Sequence, residues 1–361
     1  MILNPKQIVL ARNMRGLSQG ELSKRLGHAN QSTLSNVEKE KLPFTEELAN
    51  QLAEVLCIPI AFFSKEKSFT RLSKFYYRKR NAFPASELVP LESKMEIIRS
   101  GYEELLNSVD INIKKLPAIP VKGNNSPEAI ANSFRLFLGL NDDPIDNLVT
   151  MVEKLGITVL FLDVNSDKFS GLTLQTDINA PLIVLNKNMP NDHKKFTIAH
   201  ELGHLIMHIP FAEDPEFYED LEDLDAVEQQ ADSFAGAFLM PKKKAQYTFA
   251  NLTYSRLTEL KLYWKVSKQA IIYRAKEIGA INANKFKFLF IELSRFGERK
   301  KENIEIAIDM PVLFKRIISV YENELKYSRK AISEDILGIS EQDFNIWFDF
   351  NERPRLRVVL D

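Results

Sequence analysis

The 361-residue chain holds a single cysteine, so no intramolecular disulfide can brace it and its stability has to come from packed cores. That scarcity fits a reducing compartment. Cys57 sits in the apolar run Val55 to Ile60 and is expected to be a small core side chain. No stretch approaches the roughly 20 consecutive apolar residues that a membrane-spanning helix requires, and the N-terminus lacks the pattern of a signal peptide. Membrane proteins and disulfide-stapled secreted scaffolds are disfavoured, and a cytoplasmic protein without a membrane partner is expected. Internal repeats and low-complexity tracts are also missing. Histidine is scarce, with five in the chain, so a cluster of them carries information.

With 45% hydrophobic and 27% charged residues, the length suits two or three domains, each able to bury a core. The net charge of −1 hides an uneven distribution. From Met1 to Arg80 there are 14 lysines and arginines against 7 acidic residues, a balance that suits a nucleic-acid partner. From Ala212 to Glu228 there are nine acidic residues and no basic one. That stretch is either a solvated loop or a field that attracts basic partners.

Three of the five histidines fall in Phe196-Thr-Ile-Ala-His200-Glu201-Leu-Gly-His204-Leu-Ile-Met-His208. Apolar and small residues without proline predict a helix, on which His200 and His204 project from one face at i and i+4. Two imidazoles so placed can grip one zinc ion, and Glu201, beside the first, can take a proton from an attacking water. The bland alternative is a buried amphipathic helix with incidental histidines. His208 continues the series, but it lies about 12 Å along the axis from His200, too far for all three rings to meet at one ion. A third ligand is expected downstream. Val227 to Pro241 predicts a second helix with Glu228 and Asp232 at i and i+4. Glu228 would complete a His, His, Glu set, and Asp232 would hold a ligand imidazole by its other ring nitrogen.

The sequence H-E-L-G-H followed by E-x-x-A-D-x-F-A-x-x-x-L-M-P resembles the ImmA/IrrE family of zinc metallopeptidases over about Asn124 to Gly279. The resemblance implies that His200, His204 and Glu228 bind the metal, that Glu201 is the catalytic base, and that the substrate is a repressor protein. The oxyanion-stabilising group is open among Tyr218, Tyr263 and Tyr273.

At the N-terminus, Ser18-Gln-Gly-Glu21 forms a capping box that opens a helix closed by Gly27, and Gln31 to Lys39 predicts a polar third helix after a tight turn at His28 to Asn30. This stretch resembles the Xre/Cro-type helix-turn-helix domains over Ile8 to Phe63. By that resemblance Gln31, Ser32, Thr33 and Asn36 face base edges and Gln19 touches phosphate. Arg12, Lys24 and Arg25 could supply further phosphate contacts. The alternative is a helical interaction bundle that never touches DNA. Downstream, Phe75 to Arg80 joins aromatics to three consecutive basic residues. A long helical pattern from Pro84 to Asn107 could serve as a spacer or as a homodimer surface.

Short apolar runs at Ile157 to Leu162, Gly171 to Thr176 and Pro181 to Leu185 predict three strands ahead of the His200 helix. Val266 to Gly279 predicts a serine-capped helix resembling the end of this peptidase family. Ile317 to Leu325 and Ser340 to Phe348 predict helices in a tail without a chemistry of its own. The expected fold is mainly α with a small α+β domain. Its parts are a helix-turn-helix bundle at 1–66, a helical linker at 67–123, a compact zincin-like α+β metallopeptidase domain at 124–280, and a helical C-terminal region at 281–361. The expected function is a transcriptional regulator fused to a zinc endopeptidase that cleaves a repressor in stress response or mobile-element control. Zn2+ is the expected cofactor, and operator DNA and the repressor are the expected partners. The competing reading is a DNA-binding regulator, or an antitoxin-like component, with a non-proteolytic sensory metal site.

Overall fold

A computed structural model describes residues 2–27, 31–66, 84–164, 166, 168–212, 214 and 223–350. The turn His28 to Asn30, the basic run Phe75 to Arg80 and most of the acidic run between Glu213 and Glu222 lie outside the described residues. The chain begins with α1 (Lys6–Met14), α2 (Gln19–Arg25), α3 (Gln31–Glu38) and α4 (Glu46–Leu56), then a 3-10 turn at Ile60–Ser64. The capping box forms as expected: the Glu21 amide donates to the Ser18 hydroxyl, and the Ser18 amide donates to the Glu21 carboxylate at 2.7 Å. Cys57 corrects the expectation of a core residue. It stops α4 in the left-handed conformation, φ 50°, leaves that helix's buried face and is exposed.

There follow α5 (Ala85–Leu106), α6 (Pro127–Phe137), α7 (Leu148–Glu153), the strands β1 (Thr158–Leu162), β2 (Gly171–Leu174) and β3 (Leu182–Asn186), and then α8 (Asn191–Met207) and α9 (Leu224–Leu239). The chain continues through α10 (Lys242–Thr248), α11 (Leu257–Trp264), α12 (Lys268–Glu277), α13 (Ala283–Arg295), α14 (Leu313–Asn323), α15 (Arg329–Ala331), a π-turn at Ile332–Leu337 and α16 (Glu341–Phe348). The three expected strands form one mixed sheet in the order β1-β3-β2, with β3 parallel to β1 and antiparallel to β2. The fold is mainly helical with a small sheet, the expected class. Helix α13 was not expected. Phe286, Phe288 and Phe290 recur with the period of a strand, but Asn282 accepts the Lys285 amide at 2.9 Å and caps a helix instead.

Strand alternation divides the sheet between two cores. Val159, Ile183 and Leu185 face α8 and α9, while Leu160, Leu162, Leu172, Leu174, Leu182 and Val184 join the opposite core. That second core contains α5, α14, the π-turn and α16, and it runs on into the N-terminal bundle through residues such as Phe62, Phe63, Met95 and Leu337. Helices α5, α14 and α16 therefore form a single layer between the bundle and the sheet. The Tyr102 hydroxyl lies 2.6 Å from Thr158 Oγ1, Tyr321 donates to the Leu105 carbonyl at 2.8 Å, and Arg15 reaches the Asp343 carboxylate at 2.5 Å. Gly101 lets α5 and the π-turn approach closely, since a Cβ there would lie 2.8 Å from Leu337 Cδ2.

Desolvation lowers the half-buried Lys65 and Lys94 to about 8 and the buried Lys195 to about 7. Each folded-state value lies below that of the unfolded chain. Their contribution to stability is therefore complete above about 10.5 and is lost as pH falls through about 7 to 8. Thermal unfolding is expected to shift upward with pH across that window, and Lys195→Met should flatten the rise. An identical pH slope in the variant would exclude Lys195 as a source.

Candidate metal centre and DNA-facing surface

Helix α8 buries most of its surface, and the Lys261 ammonium fixes its first turn by donating to Asp192 at 2.5 Å and to Glu302 at 2.6 Å. His200 and His204 project together as their spacing predicts, with Nε2 atoms 3.0 Å apart. The Glu228 carboxylate lies 3.6 Å from His200 Nε2 and 3.3 Å from His204 Nε2, and the three side chains form a cluster with metal-ligand geometry. Metal–nitrogen bonds of 2.0–2.1 Å imply ligand separations of roughly 3.3 Å around a tetrahedral ion. The donor atoms therefore fit a small divalent cation with little movement.

The outward ring nitrogens are also engaged. His200 Nδ1 lies 2.8 Å from Asp232 Oδ1. His204 Nδ1 lies 2.9 Å from His208 Nδ1, and His208 Nε2 lies 3.0 Å from Gln230 Oε1. One proton assignment satisfies this chain: His204 donates from Nδ1, His208 accepts there and donates from Nε2 to Gln230. In the metal-binding form both ligand rings turn a lone pair inward at Nε2, which His200 reaches by giving up its Nε2 proton. His208 lies outside the three-residue cluster, in agreement with the helix-length argument, but its role as the holder of His204 was missed. The eight-residue separation from His200 argues against it as a ligand, and the i+4 spacing from His204 brings it against that ring.

Glu201 is buried and accepts from Thr173 Oγ1 at 2.8 Å. Thr173 was not anticipated either, although strand alternation puts it on the face of β2 shared with Gly171. That face meets α8, since a Cβ on Gly171 would lie 2.9 Å from Thr197 Cγ2.

Glu228 is positioned by how α9 is held. Gly203 lets α8 and α9 come together, as a Cβ there would lie 3.0 Å from Phe234 Cδ1. The buried guanidiniums of Arg135 and Arg274 donate to the Phe238 carbonyl at 2.5 Å and the Met240 carbonyl at 3.0 Å, covering the C-terminal end of α9 with positive charge. Phe134 of α6 packs its ring 5.6 Å from that of Phe238.

The electrostatics follow the contacts. Burial opposes charge on His200, but hydrogen bonds to Asp232 and Glu228 and the nearby Glu201 raise it to about 9. Burial and the adjacent His204 push His208 down to about 3, so it stays neutral and able to accept from His204. Glu228 stays below the ordinary carboxylate range: burial works against its charge, and the two histidines outweigh it. An open cleft of about 620 Å³ leads to this centre and is lined by His193, His200, Glu228, Asp232, Tyr273 and Glu277 among others. Of the tyrosines considered, Tyr273 lines the cleft, Tyr263 packs at 5.1 Å on the Trp264 ring, and Tyr218 lies outside the described residues.

Residues 152–276 match the family model of the IrrE N-terminal-like domain, and residues 8–63 match that of a helix-turn-helix. The chain joins an Xre-type helix-turn-helix domain to an IrrE-like metallopeptidase domain. No curated protein matches the chain. The metallopeptidase match contains the His200, His204 and Glu228 cluster, so a metal cofactor is expected there.

In the helix-turn-helix domain, Gln31, Ser32 and Thr33 stand exposed on the first turn of α3, and Asn36 is half-buried one turn on. Lys24 and Arg25 are exposed at the end of α2. Two expected phosphate contacts are engaged inside the domain: Arg12 binds Glu38 at 3.0 Å and the Leu17 carbonyl at 2.8 Å, and Gln19 donates to Glu38 at 2.5 Å. These bonds join α1, α2 and α3 into a fixed angle.

His208→Ala should keep the metal but weaken its binding by roughly 10–100-fold, the usual cost of losing a partner that orients a ligand. Metal titration with a competing chelator measures it. Complete loss, equal to that in His204→Ala, would make His208 a ligand.

Proposed function

We propose that the chain is a cytoplasmic DNA-binding regulator whose second domain is a zinc-dependent endopeptidase that cuts a repressor-type protein. The reading rests on one observation, the convergence of His200, His204 and Glu228 on one point with Glu201 adjacent in the chain. Two imidazoles and one carboxylate are a donor set suited to catalytic zinc, which leaves a position open. Zinc bound there would supply Lewis-acid activation of a water and of the scissile carbonyl. Glu201 takes the proton of the attacking water and delivers it to the leaving amine, and Thr173 holds its carboxylate in place for both transfers. Asp232 and His208 keep the ligand rings in one tautomer. A base so held has no purpose in a purely sensory metal site, which disfavours the competing reading. In this proposal the catalytic unit spans 124–280 and the DNA-binding unit 1–66, with α5, α14 and α16 packed between the sheet and the bundle.

At the DNA, Gln31, Ser32, Thr33 and Asn36 would read base edges while Lys24 and Arg25 neutralise phosphates. The test incubates the zinc-loaded chain with DNA-binding repressors encoded beside it and follows their cleavage with and without chelator. A single chelator-sensitive cut is expected, and intact repressors throughout would count against the reading. On operator DNA the affinity should fall steeply with salt. Arg25→Ala should weaken all sequences alike, and replacing Gln31 and Thr33 should relax sequence preference. A salt-independent complex would exclude phosphate contacts as the basis of binding.

A further inference from the structure

We propose that the exposed aromatic surface of α12 and α13 is a substrate-docking site, continuous with the metal cleft, that takes an apolar segment flanked by acidic residues. This rests on the reading of the cleft as a peptidase site.

Tyr273 of α12 is 59% exposed and belongs to two depressions at once. One is the metal cleft, and the other is a groove of about 370 Å³ lined by Phe286, Lys287, Phe290, Ile291 and Arg299. The rings of Phe286 and Phe290 lie 5.4 and 5.3 Å from that of Tyr273 and 4.8 Å from each other. Phe286 and Phe290 are half-buried at the edge of the core, and Leu289 and Leu293 form the fully buried face of α13. On its other side Ile291 is 64% exposed and Phe288 48%. Contiguous apolar surface of this kind marks a binding site.

Charge narrows the partner. Lys276 stands 4.5 Å from the Phe286 centroid, Lys285 5.3 Å from Phe288 and Arg299 5.8 Å from Phe290. The metal end of the same path is lined by Glu228, Asp232 and Glu277, with Arg274 paired to Glu277 at 2.8 Å. The path is therefore acidic at the metal and basic at the aromatic end. A polypeptide lying along it gains by placing apolar side chains on Tyr273, Phe286 and Phe290 and carboxylates beside Lys287 and Arg299. Aromatic rings among cations also suit single-stranded nucleic acid. Continuity with a cleft built to hold a peptide favours the polypeptide.

The test uses the full chain as Glu201→Gln, so that binding is measured without cleavage. Three labelled probes are compared by fluorescence anisotropy: a short peptide of phenylalanine, leucine and aspartate, its lysine-for-aspartate analogue, and oligothymidylate. The acidic peptide is expected to bind at least about tenfold more tightly than the lysine analogue, and Lys287→Glu with Arg299→Glu should reverse that preference. Equal binding of the two peptides, or displacement of the acidic peptide by oligothymidylate, would overturn the proposal. A second arm incubates the zinc-loaded chain with a mixed peptide library and maps the cuts by mass spectrometry. Peptides with an apolar and acidic segment at a fixed offset from the cut should dominate for the wild type and lose that enrichment in the charge-reversed variant. Cuts without such an offset would overturn docking and leave the peptidase reading standing. A library left uncut would remove the peptidase reading, and the binding arm would still decide the surface.

Discussion

Glu201→Gln is expected to keep its bound metal and lose hydrolysis by roughly 10²–10⁴-fold, the scale of a lost general base. Glutamine has the shape of glutamate and can still accept from Thr173 through its amide oxygen, so the buried site keeps its packing. It cannot take a proton. Glu228→Ala should behave differently, because that carboxylate lies within 3.6 Å of both ligand nitrogens and its removal leaves only two donors. Metal content and cleavage rate measured on the same preparations separate the two roles. Activity and metal lost together in both variants would assign Glu201 to the metal instead, and an active Glu228→Ala protein would dismiss the third ligand.

The parts of this centre that could be read from the sequence are those governed by helical spacing. His200 and His204, and Glu228 and Asp232, are pairs at i and i+4, so forming either helix fixes which side chains share a face. Joining the two helices required the motif and its resemblance to a family. Thr173 was not legible in the same way, because 28 residues separate it from Glu201 and only the register of β2 against β3 brings it there. Arg12 illustrates the opposite difficulty. A basic residue in a basic domain reads as a phosphate contact, but its guanidinium satisfies Glu38 and the Leu17 carbonyl within the bundle. Composition cannot tell these uses apart, because both need the same charge. The largest gap concerns the tail, whose helices at Leu313–Asn323 and Glu341–Phe348 were expected near those positions while their packing partners were not. Amphipathic periodicity reveals that a helix has a buried face and says nothing of what lies against it.

That packing leads to the second large effect. Ending the chain at Pro311 is expected to unfold the layer that joins the N-terminal bundle to the sheet. The deletion removes Phe314, Ile317, Ile318, Tyr321, Ile332, Leu337, Phe344, Trp347 and Phe348 from one core, each at most 7% exposed. Full burial of such side chains contributes roughly 1.5–3 kcal/mol apiece, so the loss is on the order of 20 kcal/mol, counted against an extended chain and therefore an upper figure. Whole domains are commonly stable by only about 5–15 kcal/mol. The deletion also strips the cover from Leu160, Leu162, Leu172 and Leu182, and it leaves Glu153 without the amides of Val312 and Leu313 that it accepts at 2.9 and 3.1 Å. Because β1 and β3 serve both cores, loss of the outer layer should reach α8 and the metal centre as well. The truncated chain is expected to aggregate or to be digested rapidly by a nonspecific protease, without a cooperative melting transition. Trp347→Ala offers a milder version, lowering stability by about 3–5 kcal/mol while the chain still folds. A tail that were merely appended would give the reverse result: a truncated protein melting at the wild-type temperature, with its metal content and DNA affinity intact, would show that the shared core contributes nothing to holding the two domains together.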